Sequence, residues 1–193
     1  IDCHGYTVIK TGPWGQGPVA LQTLSILEGF DLGSMDPNGP EFVHVLTEAM
    51  KLTMADREAY YGDPDFVDVP LTALLDPTYG AARRAQIGRA ASTELRPGQI
   101  GDTPPVLPRI VREGSRIAAP MAPGGGEPNA TLAREMAGDT ANVNTVDRDG
   151  NMVSAMPSGG WLQSSPTIPE LGFCLGTRAQ MFWLEDGLPA SLA

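Results

Sequence analysis

The chain has 193 residues, 41% of them hydrophobic, and a formal net charge of −10. That is enough length and apolar content for a packed core, while the negative balance argues against nucleic acid or an anionic membrane surface as a main partner. No apolar run reaches the roughly 18 residues of a membrane span, and the only cysteines and histidines, Cys3, Cys174, His4 and His44, show no metal-ligand spacing, which excludes a structural zinc site.

Residues 5–11 alternate and are β-rich, which predicts a short strand. Gly12-Pro13-Trp14-Gly15-Gln16-Gly17 is a turn-rich loop. Pro18 then suits the first position of a helix. Ala20, Leu21, Leu24 and Leu27 follow at helical spacing, and Gly29 stops the run. A second helix is predicted over about 40–60, with Val43, Leu46, Met50, Met54 and Ala55 as its core-facing stripe. Tyr60-Tyr61-Gly62-Asp63-Pro64 breaks it. A short helix from 69 to about 75 and another over about 78–92 come next. Arg83, Arg84 and Arg89 give the latter a basic face, read as solvated.

Residues 95–139 differ in character, holding seven Pro and seven Gly. Such a segment buries little apolar surface and is expected to be extended or mobile. A loop of this length inside a compact domain is unusual unless it is a linker or a segment that is cut. Strand signals then return over 140–147 and 151–156, joined by Asp149-Gly150, a strong hairpin signal. Pro157-Ser158-Gly159-Gly160 is a tight loop in which a ligand can approach the backbone. A third strand is predicted over 171–175, with 179–184 continuing the sheet after a bend. The pattern divides the chain into a mainly helical part (1–94), the Pro/Gly-rich segment (95–139) and a β-rich part (140–193).

The boundary between the last two parts carries the chemistry. If the Asp139–Thr140 bond is cut, Thr140 gains a free α-amine within reach of its own hydroxyl. A threonine hydroxyl needs a base to act as a nucleophile. An α-amine, with a reference pKa near 7.7–8.0, serves as one at neutral pH. Thr140 would then supply both nucleophile and base, with no metal or organic cofactor. By pattern alone, a Thr that simply begins a strand remains the commoner alternative.

Several motifs, in order, add to this reading. They are Gly5-Tyr6-Thr7-Val8, Leu24-Ser25-Ile26-Leu27-Glu28, Ala55-Asp56-Arg57-Glu58 with Gly62-Asp63-Pro64-Asp65-Phe66-Val67, Glu94-Leu95-Arg96-Pro97-Gly98, and Val146-Asp147-Arg148-Asp149-Gly150-Asn151 with Val153-Ser154. Nearly the whole chain resembles the γ-glutamyltranspeptidase family on these residues. The resemblance implies an α+β fold, the αββα four-layer sandwich of the N-terminal-nucleophile hydrolases. It implies self-cleavage between Asp139 and Thr140 into a large and a small subunit that stay associated. Thr140 falls at the nucleophile and Ser158 at the second hydroxyl, although Ser158 reads equally as a turn serine. Gly159, Gly160, Arg178 and Gln180 fall at substrate-binding positions.

The sequence also departs from the family pattern. Ala141 and Asn142 stand where Thr and His usually follow the nucleophile, and Gly160 stands in place of an Asn. The acid that pairs with a γ-glutamyl α-ammonium falls on Met181. Arg178 offers a fork for a carboxylate instead, or a surface ion pair; Glu185 or Asp186 are alternative sources of the acid. Three functions follow: a γ-glutamyltransferase or glutathione hydrolase using water or an amine as acceptor; a related acylase, such as a cephalosporin acylase, with another amide substrate; or an unprocessed, inactive homologue. The chain opens without Met or a signal pattern and reads as a fragment of a longer protein, so localisation stays open between bacterial cytoplasm and periplasm.

Overall fold

A computed structural model describes residues 1–113, 142–156, 167–174 and 182–191. The chain divides into two compact units, one of residues 1–112 and 183–193, the other of 113–182. Helix and strand are mixed, as an α+β chain requires.

The first unit opens with a two-residue hairpin, β1 (Asp2–Cys3) against β2 (Tyr6–Thr7). Its turn places His4 at φ 48° and Gly5 at φ 82°. The strand expected over 5–11 is thus confined to Tyr6–Thr7, because the chain turns into the Gly/Pro loop. Helix α1 (Gly17–Leu27) has Pro18 in its first turn. Helix α2 (Pro40–Tyr60) has Pro40 at its start and ends where Tyr61 becomes extended. Both helices lie where they are expected, α1 from Pro18 and periodicity and α2 from periodicity alone.

The face that α2 buries differs from the expected stripe. Val43, Met50 and Met54 are 52%, 49% and 39% exposed. Inside are Val45, Ala49, Leu52, Ala55, Ala59 and Tyr60, together with the polar Glu48, Thr53 and Asp56. One core cluster joins Ile26 and Leu27 of α1 to Val45, Ala49 and Leu52 of α2. A second joins Val19, Ala59, Tyr60, Tyr61, Leu74 and Ile100. Burial of such side chains is worth about 1.5–3 kcal/mol each.

Helix α3 spans Leu71–Leu74. Helix α4 covers Pro77–Arg84, with the Asp76 carboxylate accepting from the Thr78 amide at 2.7 Å. It stops well before 92; of the basic residues expected to be solvated, Arg89 is exposed, whereas Arg83 and Arg84 are engaged by the protein. Arg83 is 2% exposed, and Arg84 donates to the Ser25 and Ile26 carbonyls.

The start of the Pro/Gly-rich segment is held in place. Ile100 is buried in the core, Pro108 is fully buried, and Arg109–Arg112 form a helical turn, α5. The stretch 95–113 is thus pinned at a few points, while Leu95, Val106 and Ile110 stay 45%, 40% and 44% exposed. Residues 183–191 also belong to this unit. Trp183 forms a parallel bridge with Ser191; of the stretch 179–184 expected to continue the sheet, 179–181 lie outside the described residues.

The second unit contains two hairpins among its described residues. Strands β3 (Val143–Val146) and β4 (Met152–Ala155) are antiparallel, with Val143 opposite Ala155 and Val146 opposite Met152. The strands expected over 140–147 and 151–156 thus contain the observed ones. Strand β6 (Phe173–Cys174), inside the predicted 171–175, pairs with β5 (Thr167–Ile168).

Candidate active site

Asp139, Thr140, Ser158, Gly159, Gly160, Arg178 and Gln180, the residues singled out from the sequence, all lie outside the described residues. The structure describes the hairpin that lies between Thr140 and Ser158 in sequence, and a polar clamp that holds the start of the Pro/Gly-rich segment.

The hairpin turn is built by Asp147. Its backbone N–H donates to the Asn151 carbonyl at 3.0 Å, and its carbonyl accepts from Gly150 at 3.2 Å. Gly150 has φ 85°, a left-handed position that glycine fills without steric cost. The Asp147 carboxylate accepts from the Asp149 amide at 2.9 Å, the Asn151 amide at 2.9 Å and the Asn151 side chain at 2.7 Å. The Asn151 side-chain bond, then its amide, holds the carboxyl below its ordinary pKa. Both strands are exposed along their whole length, with Val143, Val146, Met152 and Val153 in water. A two-stranded ribbon is marginal alone, so these apolar side chains call for further packing partners.

The clamp centres on Asp56, in the Ala55-Asp56-Arg57-Glu58 motif at the end of α2. Its carboxylate accepts from Gln22 at 2.5 Å, Tyr79 at 2.9 Å and the Gly98 amide at 2.7 Å. The Arg83 guanidinium lies 3.1 Å from it. Burial raises the Asp56 pKa against the Arg83 charge and these hydrogen bonds. Burial and the nearby Asp56 charge push the Tyr79 phenol up, so it stays protonated and donates. Arg83 also donates to the Leu52 carbonyl at 3.1 Å and the Arg96 carbonyl at 2.5 Å. Tyr60 donates to the Gly98 carbonyl at 2.6 Å.

Glu48, one helical stretch earlier, repeats the device. It binds Lys51, the Ser92 amide at 3.2 Å and Arg96 at 3.0 Å. Burial raises its pKa, but the bonds to Lys51 and Ser92 and the charges of Lys51 and Arg96 outweigh it and leave it lowered. Residues 92–98, which include the Glu94–Gly98 motif, are thereby fastened to α2 and α4. Asp56 and Arg96 lay in motifs noted from the sequence, but Glu48 and Arg83 were missed. One available signal was that a helix face carrying Glu48, Thr53 and Asp56 between apolar residues needs cations from elsewhere in the chain.

Glu185, considered as a substitute acid for substrate, is otherwise engaged. Its carboxylate accepts from the Arg109 amide at 2.8 Å and lies 3.7 Å from Arg112. Cys3 is a free thiol, half-buried. Among the described residues no group of three or more His, Cys, Asp or Glu is placed to hold a metal ion, and no helix is long and apolar enough to cross a membrane.

Comparison with known proteins gives a consistent result. A family model described as gamma-glutamyltranspeptidase matches residues 1–190. A glutathione hydrolase-like YwrD proenzyme from Bacillus subtilis is 31% identical over 96% of this chain, which spans 28% of that relative. Among solved structures, one titled LmbA2991HD is 46% identical with a TM-score of 0.71, over 100% of this chain and 30% of the other. A cephalosporin acylase from Bacillus halodurans is 27% identical with a TM-score of 0.66, over 100% of this chain and 28% of the other.

Proposed function

The chain belongs to the γ-glutamyltranspeptidase family, and we propose that it is the part of a self-processing amidohydrolase that carries the nucleophile, Thr140. The observation that carries this reading is the family match over residues 1–190, which takes in Asp139, Thr140 and Ser158. The pairing of Val143 with Ala155 gives the hairpin that follows Thr140 in sequence. Exposed apolar side chains on both faces of β3 and β4 support their placement inside a larger, covered sheet, as in an αββα sandwich.

In the precursor, the Thr140 hydroxyl attacks the Asp139 carbonyl, the amide nitrogen leaves as the α-amine of Thr140, and water hydrolyses the resulting ester. The freed amine then serves as base. In the mature enzyme the hydroxyl attacks a substrate amide, releases its amine, and holds the acyl group as an ester until water or an amine takes it. Ser158 holds the Thr140 amine, and Gly159, Gly160, Arg178 and Gln180 contact substrate. No metal or organic cofactor takes part, and the two products remain associated.

The first reading of the substrate is a γ-glutamyl amide, glutathione among them. A second is favoured by one observation: Met181 stands where the α-ammonium of a γ-glutamyl group would meet an acid, and a cephalosporin acylase shares the fold over the whole chain. Turnover of γ-glutamyl-p-nitroanilide against glutaryl-7-aminocephalosporanic acid by the full-length protein decides between them. Faster turnover of the second compound removes the transferase reading.

A further inference from the structure

The helical unit is assembled from two stretches, 1–112 and 183–193. The Asp139–Thr140 bond lies between them in sequence. Cutting that bond turns a unit made by one chain into a unit made by two. The contacts between the stretches therefore change character on processing, from intramolecular to intermolecular.

Those contacts are specific. Trp183 donates its indole N–H to Glu58 Oε1 at 2.7 Å. An indole has one donor and no acceptor, so this bond is directional, and its acceptor is a carboxylate. Glu185 accepts from the Arg109 amide at 2.8 Å and faces Arg112 at 3.7 Å. It thus grips α5, the last described element before the cleavage region. Leu188 is buried. Gly62 makes room for the Pro189 carbonyl, which a Cβ at that position would strike. The downstream stretch also holds its own shape: the Trp183 amide donates to the Ala190 carbonyl at 2.9 Å and the Ser191 amide to the Leu188 carbonyl at 3.1 Å.

We propose that residues 183–191 are a clasp through which the downstream cleavage product grips the upstream one. Its surface on the upstream product is Glu58, Gly62, Arg109 and Arg112. Its own contributions are Trp183, Glu185, Leu188 and Pro189. The proposal rests on cleavage at Asp139–Thr140 and adds the surface by which the separated products recognise each other.

The test uses the full-length protein, with native Thr140 and as an uncut Thr140→Ala version. Separation of the two products is followed by native mass spectrometry across a urea series. Trp183→Phe keeps the ring and removes the donor; Glu185→Ala removes the grip on α5. In the processed protein, the pair of substitutions raises the apparent dissociation constant of the products by about tenfold or more, the loss of about 1.4 kcal/mol or more. In the Thr140→Ala background they release no fragment. Glu58→Ala combined with Trp183→Phe loosens the products no more than either alone, because both break one bond. Unchanged dissociation in the variants would overturn the clasp, as would additive effects at Glu58 and Trp183. An uncut wild-type chain is a distinguishable failure: it removes the cleavage reading, and the clasp with it, before any variant is made.

Discussion

The Asp56 carboxylate and the Arg83 guanidinium meet at 3.1 Å with both side chains shut off from water. They join α2 to α4, and through Gly98 and Arg96 they fasten the start of the Pro/Gly-rich segment. Removing one member of a buried pair leaves an uncompensated charge, at a cost of about 3–5 kcal/mol. Arg83→Met is expected to lower stability by that order. Asp56→Leu with Arg83→Met is expected to cost less than the two single changes summed, since neither charge is left behind, although the Tyr79 hydroxyl and the Gly98 amide lose their acceptor. Urea unfolding of both variants checks this; a double variant as unstable as the sum of the singles contradicts it.

Gly62 is expected to reject a side chain. Its missing Cβ leaves space for the Pro189 carbonyl, and backbone cannot swing aside as a flexible side chain does. Gly62→Ala should destabilise by roughly 1–3 kcal/mol and raise hydrogen exchange over 183–191. Unchanged exchange there would show that the two stretches do not meet as described.

Helix α1 was legible because Pro18 and apolar residues at helical spacing agreed, and α2 from apolar spacing alone. The inward face of α2 was not. Apolar spacing selected Val43, Met50 and Met54, whereas the fold buries Glu48, Thr53 and Asp56 beside alanines. Partners from distant sequence, Arg83 and Arg96, make that burial tolerable, and no local pattern announces them. For the same reason Arg83 read as solvated. Pro and Gly content marks 95–139 as extended or mobile; it does not announce that Arg96 and Gly98 are anchored by Asp56, Tyr60 and Arg83. At the candidate site, the hairpin was legible from Asp149-Gly150. The proposal of Thr140 as nucleophile rests on the family resemblance, since a strand-initial Thr has no signature of its own.

Asp147 sets a pH dependence for the hairpin. Its folded pKa lies below the ordinary carboxylate value of about 3.9, because the Asn151 side chain and amide bind the charged form. A carboxylate lowered on folding adds stability that is present above its unfolded pKa and is lost as pH falls through the folded one. Amide exchange over 143–155 should therefore quicken below about pH 4. Asp147→Ala should speed exchange at neutral pH and abolish that acid dependence. Exchange rates that ignore pH in the native hairpin would contradict the assigned bonds.

Met181 offers a test of substrate class. Restoring an acid there supplies a charge-assisted hydrogen bond to an α-ammonium, about 1.5–3 kcal/mol. Met181→Asp in the full-length protein is expected to raise kcat/KM for γ-glutamyl-p-nitroanilide by about ten- to a hundredfold. The value for glutaryl-7-aminocephalosporanic acid, which lacks that ammonium, should not rise. Equal changes for both compounds would show that residue 181 does not read the α-ammonium.

The central claim is that Thr140 cuts its own chain and then serves as the nucleophile. Intact-mass analysis of the purified full-length protein, with an amidase assay on the same sample, tests it most directly. The expected result is two chains, the smaller beginning at Thr140, with activity, and one uncut, inactive chain for Thr140→Ala. A single uncut wild-type chain, or undiminished amide hydrolysis by Thr140→Ala, would contradict it.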